Sequence, residues 1–94
     1  MTSRGKKPVR YLGSFKKDYK RIERRHYQIE KLEAIIDLLR HDAPLSVANR
    51  PHLLQGDWKG YSECHVIGDW LLIYKIKEEE LILARTGTHS DLFG

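Results

Sequence analysis

Three consecutive segments near the C-terminus alternate apolar and polar residues with the period of a β-strand. They cover residues 61–67, 70–77 and 81–88. Gly68-Asp69 separates the first two segments and Glu78-Glu79-Glu80 the last two, and both connections have the length of tight hairpin turns. The sequence therefore predicts an antiparallel meander of three strands, although the pattern of its central strand does not show which side faces the core.

Two amphipathic helices are predicted ahead of the meander. The first is short and strongly basic, with Ser14 as a candidate N-cap and apolar residues on one face from Phe15 to Ile22. The second runs from about residue 27 to 40, where apolar residues keep a 3.6-residue rhythm. A short strand is predicted at residues 9–12, so the element order is β-α-α-β-β-β. This order indicates an α+β fold in which two N-terminal helices pack on one face of an antiparallel sheet.

The length of 94 residues suits a single domain spanning residues 1–94. The one cysteine, Cys64, excludes an internal disulfide and is typical of a reducing cytoplasm. No apolar signal-peptide region follows the basic N-terminus, and the longest aliphatic or aromatic run, residues 70–74, is too short to span a bilayer. We therefore expect a soluble cytoplasmic protein that makes no membrane contact, with Cys64 as a small strand residue.

Positive charge is concentrated in the first third of the chain. Residues 1–31 contain 11 of the 17 Lys and Arg residues and three acidic residues, within a formal net charge of +4. A basic face of this kind favours salt-dependent binding to a phosphate backbone. The alternative is a solvated helix face that its charges keep soluble.

Three of the five histidines fall where the chain enters, follows or leaves the predicted sheet: His52, His65 and His89. Asp69 lies in the turn after His65. If these elements converge, imidazoles and one carboxylate surround a single cleft, and they could exchange protons with an RNA 2′-hydroxyl and a leaving 5′-oxygen. Taken singly, each histidine could equally be structural, and Asp69 could serve only the turn.

A zinc site is the competing use of the three histidines. Closed zinc sites usually show short paired spacings, whereas these histidines are 13 and 24 residues apart. Among the aromatic residues, Trp70 and Phe93 could stack on bases or could pack in the core. The chain end is expected to fold back over a groove, because Leu92 and Phe93 avoid water.

Several short motifs from residue 52 onward carry a family resemblance. They are Leu54-Gln55-Gly56, Trp58-Lys59-Gly60-Tyr61, Asp69-Trp70, Leu72-Ile73-Tyr74-Lys75, Arg85-Thr86-Gly87-Thr88-His89 and Leu92-Phe93-Gly94. In these motifs the sequence resembles the YafQ family of bacterial toxins, which belongs to the RelE-like superfamily of ribosome-dependent mRNA endonucleases. The resemblance implies a compact RelE-like fold with the element order given above.

The resemblance also implies a mechanism and a set of site residues. The toxin would enter the ribosomal A site and cleave mRNA by attack of a ribose 2′-hydroxyl on the adjacent phosphate, with no metal or other cofactor. Its catalytic residues would be His52, His65, Asp69 and His89, with His89 and Asp69 favoured for proton transfer. Trp70 and Phe93 would position the mRNA. Arg85 could stabilise charge on the phosphorane or could merely face solvent.

Partners follow from the same resemblance. The basic helix would bind ribosomal RNA through Lys16, Lys17, Lys20 and Arg21. A cognate antitoxin would mask the toxin and bind operator DNA through a ribbon-helix-helix domain. Two alternatives stay open at this point: a non-catalytic interaction protein of the same fold, which poisons another target or acts as a co-repressor, and a small RNA-binding module without catalysis.

Overall fold

The computed structural model describes residues 6–94, and within them a five-stranded sheet carries two helices on one face. The strands are β1 (Val9–Tyr11), β2 (His52–Leu53), β3 (Ser62–Ile67), β4 (Trp70–Lys77) and β5 (Glu80–Gly87). The helices are α1 (Gly13–Arg24), α2 (Ile29–Arg40) and α3 (His89–Phe93), and short 3-10 turns cover Val47–Asn49 and Gly56–Trp58. The predicted α+β fold is confirmed. Residues 1–5 of the predicted domain lie outside the described residues.

The antiparallel meander forms as the sequence predicts. β3 pairs with β4 and β4 with β5, both antiparallel, and Gly68 adopts a φ of 56° in the first turn. The second turn contains two residues rather than three, because Glu80 already pairs with Lys77 at the start of β5. Glu78 and Glu79 therefore both adopt positive φ, at 51° and 68°.

The two outer strands differ from the expectation of a purely antiparallel sheet. β1 pairs in parallel with β5, so that Val9 lies opposite Leu81. β2 pairs antiparallel with β3 at the other edge, so the strand order is β1-β5-β4-β3-β2. Neither β2 nor α3 was predicted as an element, because two and five residues are too short for a periodic pattern.

Both faces of the central strand β4 are buried. Trp70, Leu72 and Tyr74 join the main core beneath α1 and α2. Leu71 and Ile73 join a smaller cluster on the opposite face. This second cluster also contains Ala84 and Leu92, so α3 packs on the face away from the two longer helices. Burial on both faces explains why alternation alone did not identify a core side.

The N-terminus of α1 is tied to an irregularity in β5. The β4–β5 register passes from Ile73–Arg85 to Tyr74–Leu83, which leaves Ala84 as an extra residue. The Ser14 hydroxyl donates to the Ala84 carbonyl at 2.7 Å, and α1 begins at Gly13. The prediction that Ser14 is the N-cap is therefore wrong, because its hydroxyl donates to the sheet instead.

None of the helices within residues 6–94 has the length and apolar composition of a membrane-spanning segment.

Candidate active site

The candidate site occupies the sheet face opposite α1 and α2. On β3, Glu63 and His65 alternate onto this face, and β2 places His52 directly opposite Glu63. The pairing of β3 with β4 and of β4 with β5 aligns Glu63 with Arg85 through an intervening residue of β4. His89 follows β5 at the start of α3. The sheet register thus gathers residues that are far apart in sequence.

His89 and Asp69 form a hydrogen-bonded pair. Nδ1 of His89 lies 2.9 Å from Oδ1 of Asp69, and the His89 backbone N–H points at the same oxygen from 3.4 Å. The hydrogen bond from the His89 side chain holds the pKa of Asp69 below its usual value, so the carboxylate is the acceptor. Among the contacts of residues 6–94, Nε2 is the ring nitrogen left open to a substrate.

His65, like His89, uses Nδ1 for a contact within the protein. Its Nδ1 lies 3.0 Å from the Gly68 carbonyl, and because a carbonyl can only accept, Nδ1 carries the hydrogen. The His65 and His89 rings stand 6.4 Å apart between centroids. Two imidazoles at this separation can flank a phosphodiester and contact its oxygens from two sides.

His52 differs because both of its ring nitrogens face acceptors. Nδ1 lies 2.9 Å from the Arg50 carbonyl, and Nε2 lies 3.2 Å from Oε1 of Glu63. Glu63 is only 4% exposed, whereas His52 is exposed. A doubly protonated imidazolium would donate to both acceptors. The arrangement therefore suits a fixed, oriented group better than one that exchanges protons through Nε2.

Arg85 is held at the edge of the site by a buried carboxylate. Its Nε and Nη2 donate to the two Asp18 oxygens at 2.6 and 3.1 Å, and Asp18 is 1% exposed. Asp18 also accepts from Arg21 and from the Thr86 backbone N–H. The Arg85 side chain is bound in this network, so the alternative in which it merely faces solvent is wrong.

The two aromatic residues predicted to position mRNA lie in different environments. Phe93 is 47% exposed, and its ring centroid is 5.8 Å from that of His89. Trp70 is 5% exposed, and its indole N–H donates to the Thr86 hydroxyl at 2.8 Å. Its ring also packs edge-on against Tyr27. The predicted mRNA contact of Trp70 is therefore wrong in this structure, because β4 directs its ring into the main core.

The chain end, which was predicted to fold back over a groove, is only partly docked. Leu92 is buried in the second core cluster, whereas Phe93 remains exposed beside His89.

The four basic residues of α1 that were predicted to bind ribosomal RNA lie in two different environments. Lys16, Lys17 and Lys20 are exposed, but Arg21 is bound to Asp18 and so is not a free cation for RNA.

Cys64 fits the expectation of a small strand residue. Burial, with a smaller contribution from Glu63, raises the pKa of its thiol to about 12, which makes the reactive thiolate scarce at neutral pH. The part of the chain that the structure describes contains no group of three or more His, Cys, Asp or Glu side chains placed to share a metal ion.

Five residues around the site were not identified from the sequence, and four of them had a signal. Glu63 alternates with His65 on β3. Asp18 interrupts a basic helix at a position of the apolar stripe between Phe15 and Ile22. Thr88 and Asp91 have the spacing of a capping box, which the structure contains. The fifth residue, Arg25, pairs with Asp91, and nothing local predicts that contact.

Comparisons with known proteins identify the family of this chain. The family model described as "Bacterial toxin of type II toxin-antitoxin system, YafQ" matches residues 7–94. The mRNA interferase toxin YafQ of Escherichia coli K12 is 44% identical over 87 residues, which cover 92% of this chain and 95% of the relative.

Solved structures give the same relationship. The crystal structure of YafQ from Escherichia coli BL21(DE3) matches with a TM-score of 0.88 at 42% identity, covering 94% of this chain and 99% of that chain. The toxin in the Escherichia coli DinJ-YafQ toxin-antitoxin complex matches with a TM-score of 0.86 at 42% identity, covering 96% and 100%.

Proposed function

Because this chain belongs to the YafQ family of bacterial toxins of type II toxin-antitoxin systems, we propose that it is a cytoplasmic, ribosome-dependent endoribonuclease that cleaves mRNA in the ribosomal A site. Membership confirms the resemblance carried by the motifs from Leu54 to the chain end. The name mRNA interferase, given to the Escherichia coli relative, supports the proposed activity. The observation that carries the proposal is the facing pair of imidazoles, His65 and His89, with rings 6.4 Å apart.

In the proposed reaction the 2′-oxygen of a ribose attacks the adjacent phosphorus, and the bond from phosphorus to the 5′-oxygen breaks. One imidazole of the pair accepts the 2′-hydroxyl proton, and the other donates a proton to the leaving oxygen. Asp69 orients His89 and stabilises its protonated form through the bond to Nδ1. The products are a 2′,3′-cyclic phosphate and a 5′-hydroxyl.

The remaining site residues stabilise charge and place the RNA. His52, oriented between the Arg50 carbonyl and Glu63, contacts the phosphate. Arg85 stabilises the negative charge that develops on the phosphorane, because Asp18 holds its guanidinium beside the site. Phe93, exposed next to His89, supports the RNA by stacking on a base.

Primer extension on a defined mRNA tests the proposal, with and without translating ribosomes. We expect cuts only when ribosomes are present, and a loss of at least about 100-fold in cleavage rate for His89→Ala, since a proton-transfer group is removed. His41→Ala is the control, because His41 is an exposed histidine at the end of α2. If folded, antitoxin-free protein makes no cuts under any condition, the non-catalytic alternative is favoured instead.

We also propose that Lys16, Lys17 and Lys20 bind ribosomal RNA, since all three are exposed on α1. The triple reversal to Glu should abolish co-sedimentation with ribosomes at physiological salt and leave thermal unfolding unchanged. A matched reversal of Lys31, Lys59 and Lys77 controls for net charge. Equal loss of co-sedimentation in both triple variants would contradict a specific role for α1.

A cognate antitoxin is the second proposed partner, supported by the DinJ-YafQ complex of the Escherichia coli relative. We propose that it masks the basic surface with an acidic segment and binds operator DNA through a ribbon-helix-helix domain. Co-expression of the toxin with its cognate antitoxin should yield a complex that does not cleave mRNA. A complex with full cleavage activity would exclude masking of the basic surface that the proposed reaction on the ribosome requires.

A further inference from the structure

The C-terminal helix α3 carries His89, yet it has only five residues. A helix this short does not persist on its own, because nucleation costs more than one or two hydrogen bonds return. Its position must therefore come from contacts with the rest of the protein. Leu92 supplies one of these by packing into the second core cluster. The other contacts converge on the carboxylate of Asp91.

Asp91 joins α3 to α1 through a bidentate ion pair. Its Oδ2 accepts from Nη1 of Arg25 at 2.8 Å, and its Oδ1 accepts from Nη2 at 3.2 Å. Nη1 of Arg21 lies 3.6 Å from the same Oδ2. The Asp91 side chain is 13% exposed, so solvent weakens this pair less than an ordinary surface pair.

The same carboxylate also determines the backbone just before His89. The Thr88 N–H donates to Oδ2 of Asp91 at 3.0 Å, and the Thr88 hydroxyl accepts the Asp91 N–H at 3.1 Å. There is no space for a side chain at Gly87, because a Cβ at that position would lie 2.9 Å from Oδ2 of Asp91. A change in the position of Asp91 is therefore transmitted to Thr88 and to the residue that follows it.

We propose that Asp91 and Arg25 are positioning residues that hold His89 in register with Asp69 and His65. Neither residue contacts the reacting atoms in this proposal. Both act through the backbone of α3, which sets the contact between His89 and Asp69. The inference rests on the proposed ribonuclease function, and it adds to that function the reason why a terminal helix can present a catalytic group.

The Arg25–Asp91 pair also separates two roles within the basic helix. Arg24 and Arg25 are adjacent, exposed and equally charged, but Arg25 alone of the two pairs with Asp91 among the described residues. If α1 acted only through its charge, removal of either arginine should have the same effect. If the Arg25–Asp91 pair positions His89, removal of Arg25 should slow cleavage and removal of Arg24 should not.

The test compares Asp91→Asn, Arg25→Gln and the double variant with Arg24→Gln, each shown to be folded by circular dichroism. We expect the cleavage rate constant at saturating ribosomes to fall roughly tenfold in both single variants, since small displacements of a catalytic group are costly. We expect half-saturating ribosome concentrations to change less than about twofold and the double variant to resemble the singles, because one contact is lost in all three. Arg24→Gln should keep the wild-type rate constant.

A spectroscopic measurement makes the inference independent of the activity. The ¹⁵N signals of the His89 imidazole report its Nδ1 contact with Asp69, and they should shift in Asp91→Asn and Arg25→Gln but not in Arg24→Gln. Unchanged signals in the first two variants would overturn the inference even if wild-type protein cleaves mRNA. Shifted signals in a protein that does not cleave mRNA would support the positioning role of Arg25 and Asp91 and contradict the proposed function.

Discussion

At the scale of single residues, the three site histidines share the use of Nδ1 and differ at Nε2. Each turns Nδ1 to a fixed acceptor: the Arg50 carbonyl, the Gly68 carbonyl or the Asp69 carboxylate. Nε2 of His52 faces Glu63, whereas the hydrogen bonds of His65 and His89 to other described residues use Nδ1 and not Nε2. This difference is the basis for the two roles proposed above, which are proton transfer for the facing pair and a fixed orientation for His52.

Glu63→Gln tests the role of His52. The substitution keeps the side-chain volume in a buried position and removes the negative charge opposite Nε2. We expect the cleavage rate constant to fall about tenfold, since the acceptor that orients His52 loses its charge. The double variant with His52→Ala should be no slower than His52→Ala alone. Additive losses in single-turnover assays would show that Glu63 acts by another route.

At the scale of elements, the β4–β5 turn is a point of conformational strain. Glu78 and Glu79 both adopt positive φ, a region that costs a non-glycine residue roughly 1 kcal/mol or more. Glu79→Gly should raise the free energy of unfolding by about 0.5–1 kcal/mol, after the added freedom of the unfolded chain is subtracted.

The control for the turn is Glu79→Ala, which removes the same charge but still places a Cβ at positive φ. It should stabilise the protein less than the glycine variant does. Urea unfolding at neutral pH measures both differences. If the two variants stabilise equally, charge repulsion between the neighbouring glutamates is the cause and backbone strain is not.

The docking of α3 should depend on pH through Asp91. The hydrogen bonds from Arg25 and then those from Thr88 hold the pKa of Asp91 well below its usual range. A carboxyl whose pKa is lower in the folded state stabilises the protein above its unfolded pKa, near about 4, and loses that contribution as the pH falls further.

The comparison with Asp91→Asn isolates this contribution. At pH 7 the wild type should exceed the variant by about 1 kcal/mol in the free energy of unfolding. The difference should hold down to about pH 5 and shrink below about pH 4. Urea unfolding across this range measures it. A difference that stays constant into the acid range would mean that the ionised carboxylate is not what docks α3.

At the scale of the whole molecule, Asp18 joins α1 to β5 from inside the protein. It is 1% exposed and accepts hydrogen bonds from Arg85, Arg21 and the Thr86 backbone. Asp18→Ala leaves two arginines without their carboxylate, so we expect a loss of about 3 kcal/mol in the free energy of unfolding. Glu23→Ala, on an exposed position of the same helix, should change it by less than about 0.5 kcal/mol.

Thermal and urea unfolding of both variants distinguish a structural anchor from a surface charge. An Asp18→Ala protein as stable as wild type would mean that the arginines relax to solvent at little cost. Because Arg85 loses its positioning contact as well, cleavage should fall in the same variant.

Much of the architecture could be predicted because it depends on local periodicity. The meander and both long helices follow from repeats of two and 3.6 residues, and tight turns between strands leave little choice of topology. β2 and α3 carry no such repeat, so only their pairing and packing define them. Ser14 was misassigned for a related reason, since its acceptor at Ala84 lies 70 positions away in the sequence.

Residue type and local spacing are properties of the chain, so they were enough to predict the fold class, the family and the candidate residues His52, His65, Asp69 and His89. Which groups those residues contact depends on the tertiary structure. Asp69 reaches His89 across 20 positions, and Arg25 reaches Asp91 across 66. Such contacts depend on strand register and on the docking of α3, so only packing determines which ring nitrogens are held and which remain available for chemistry.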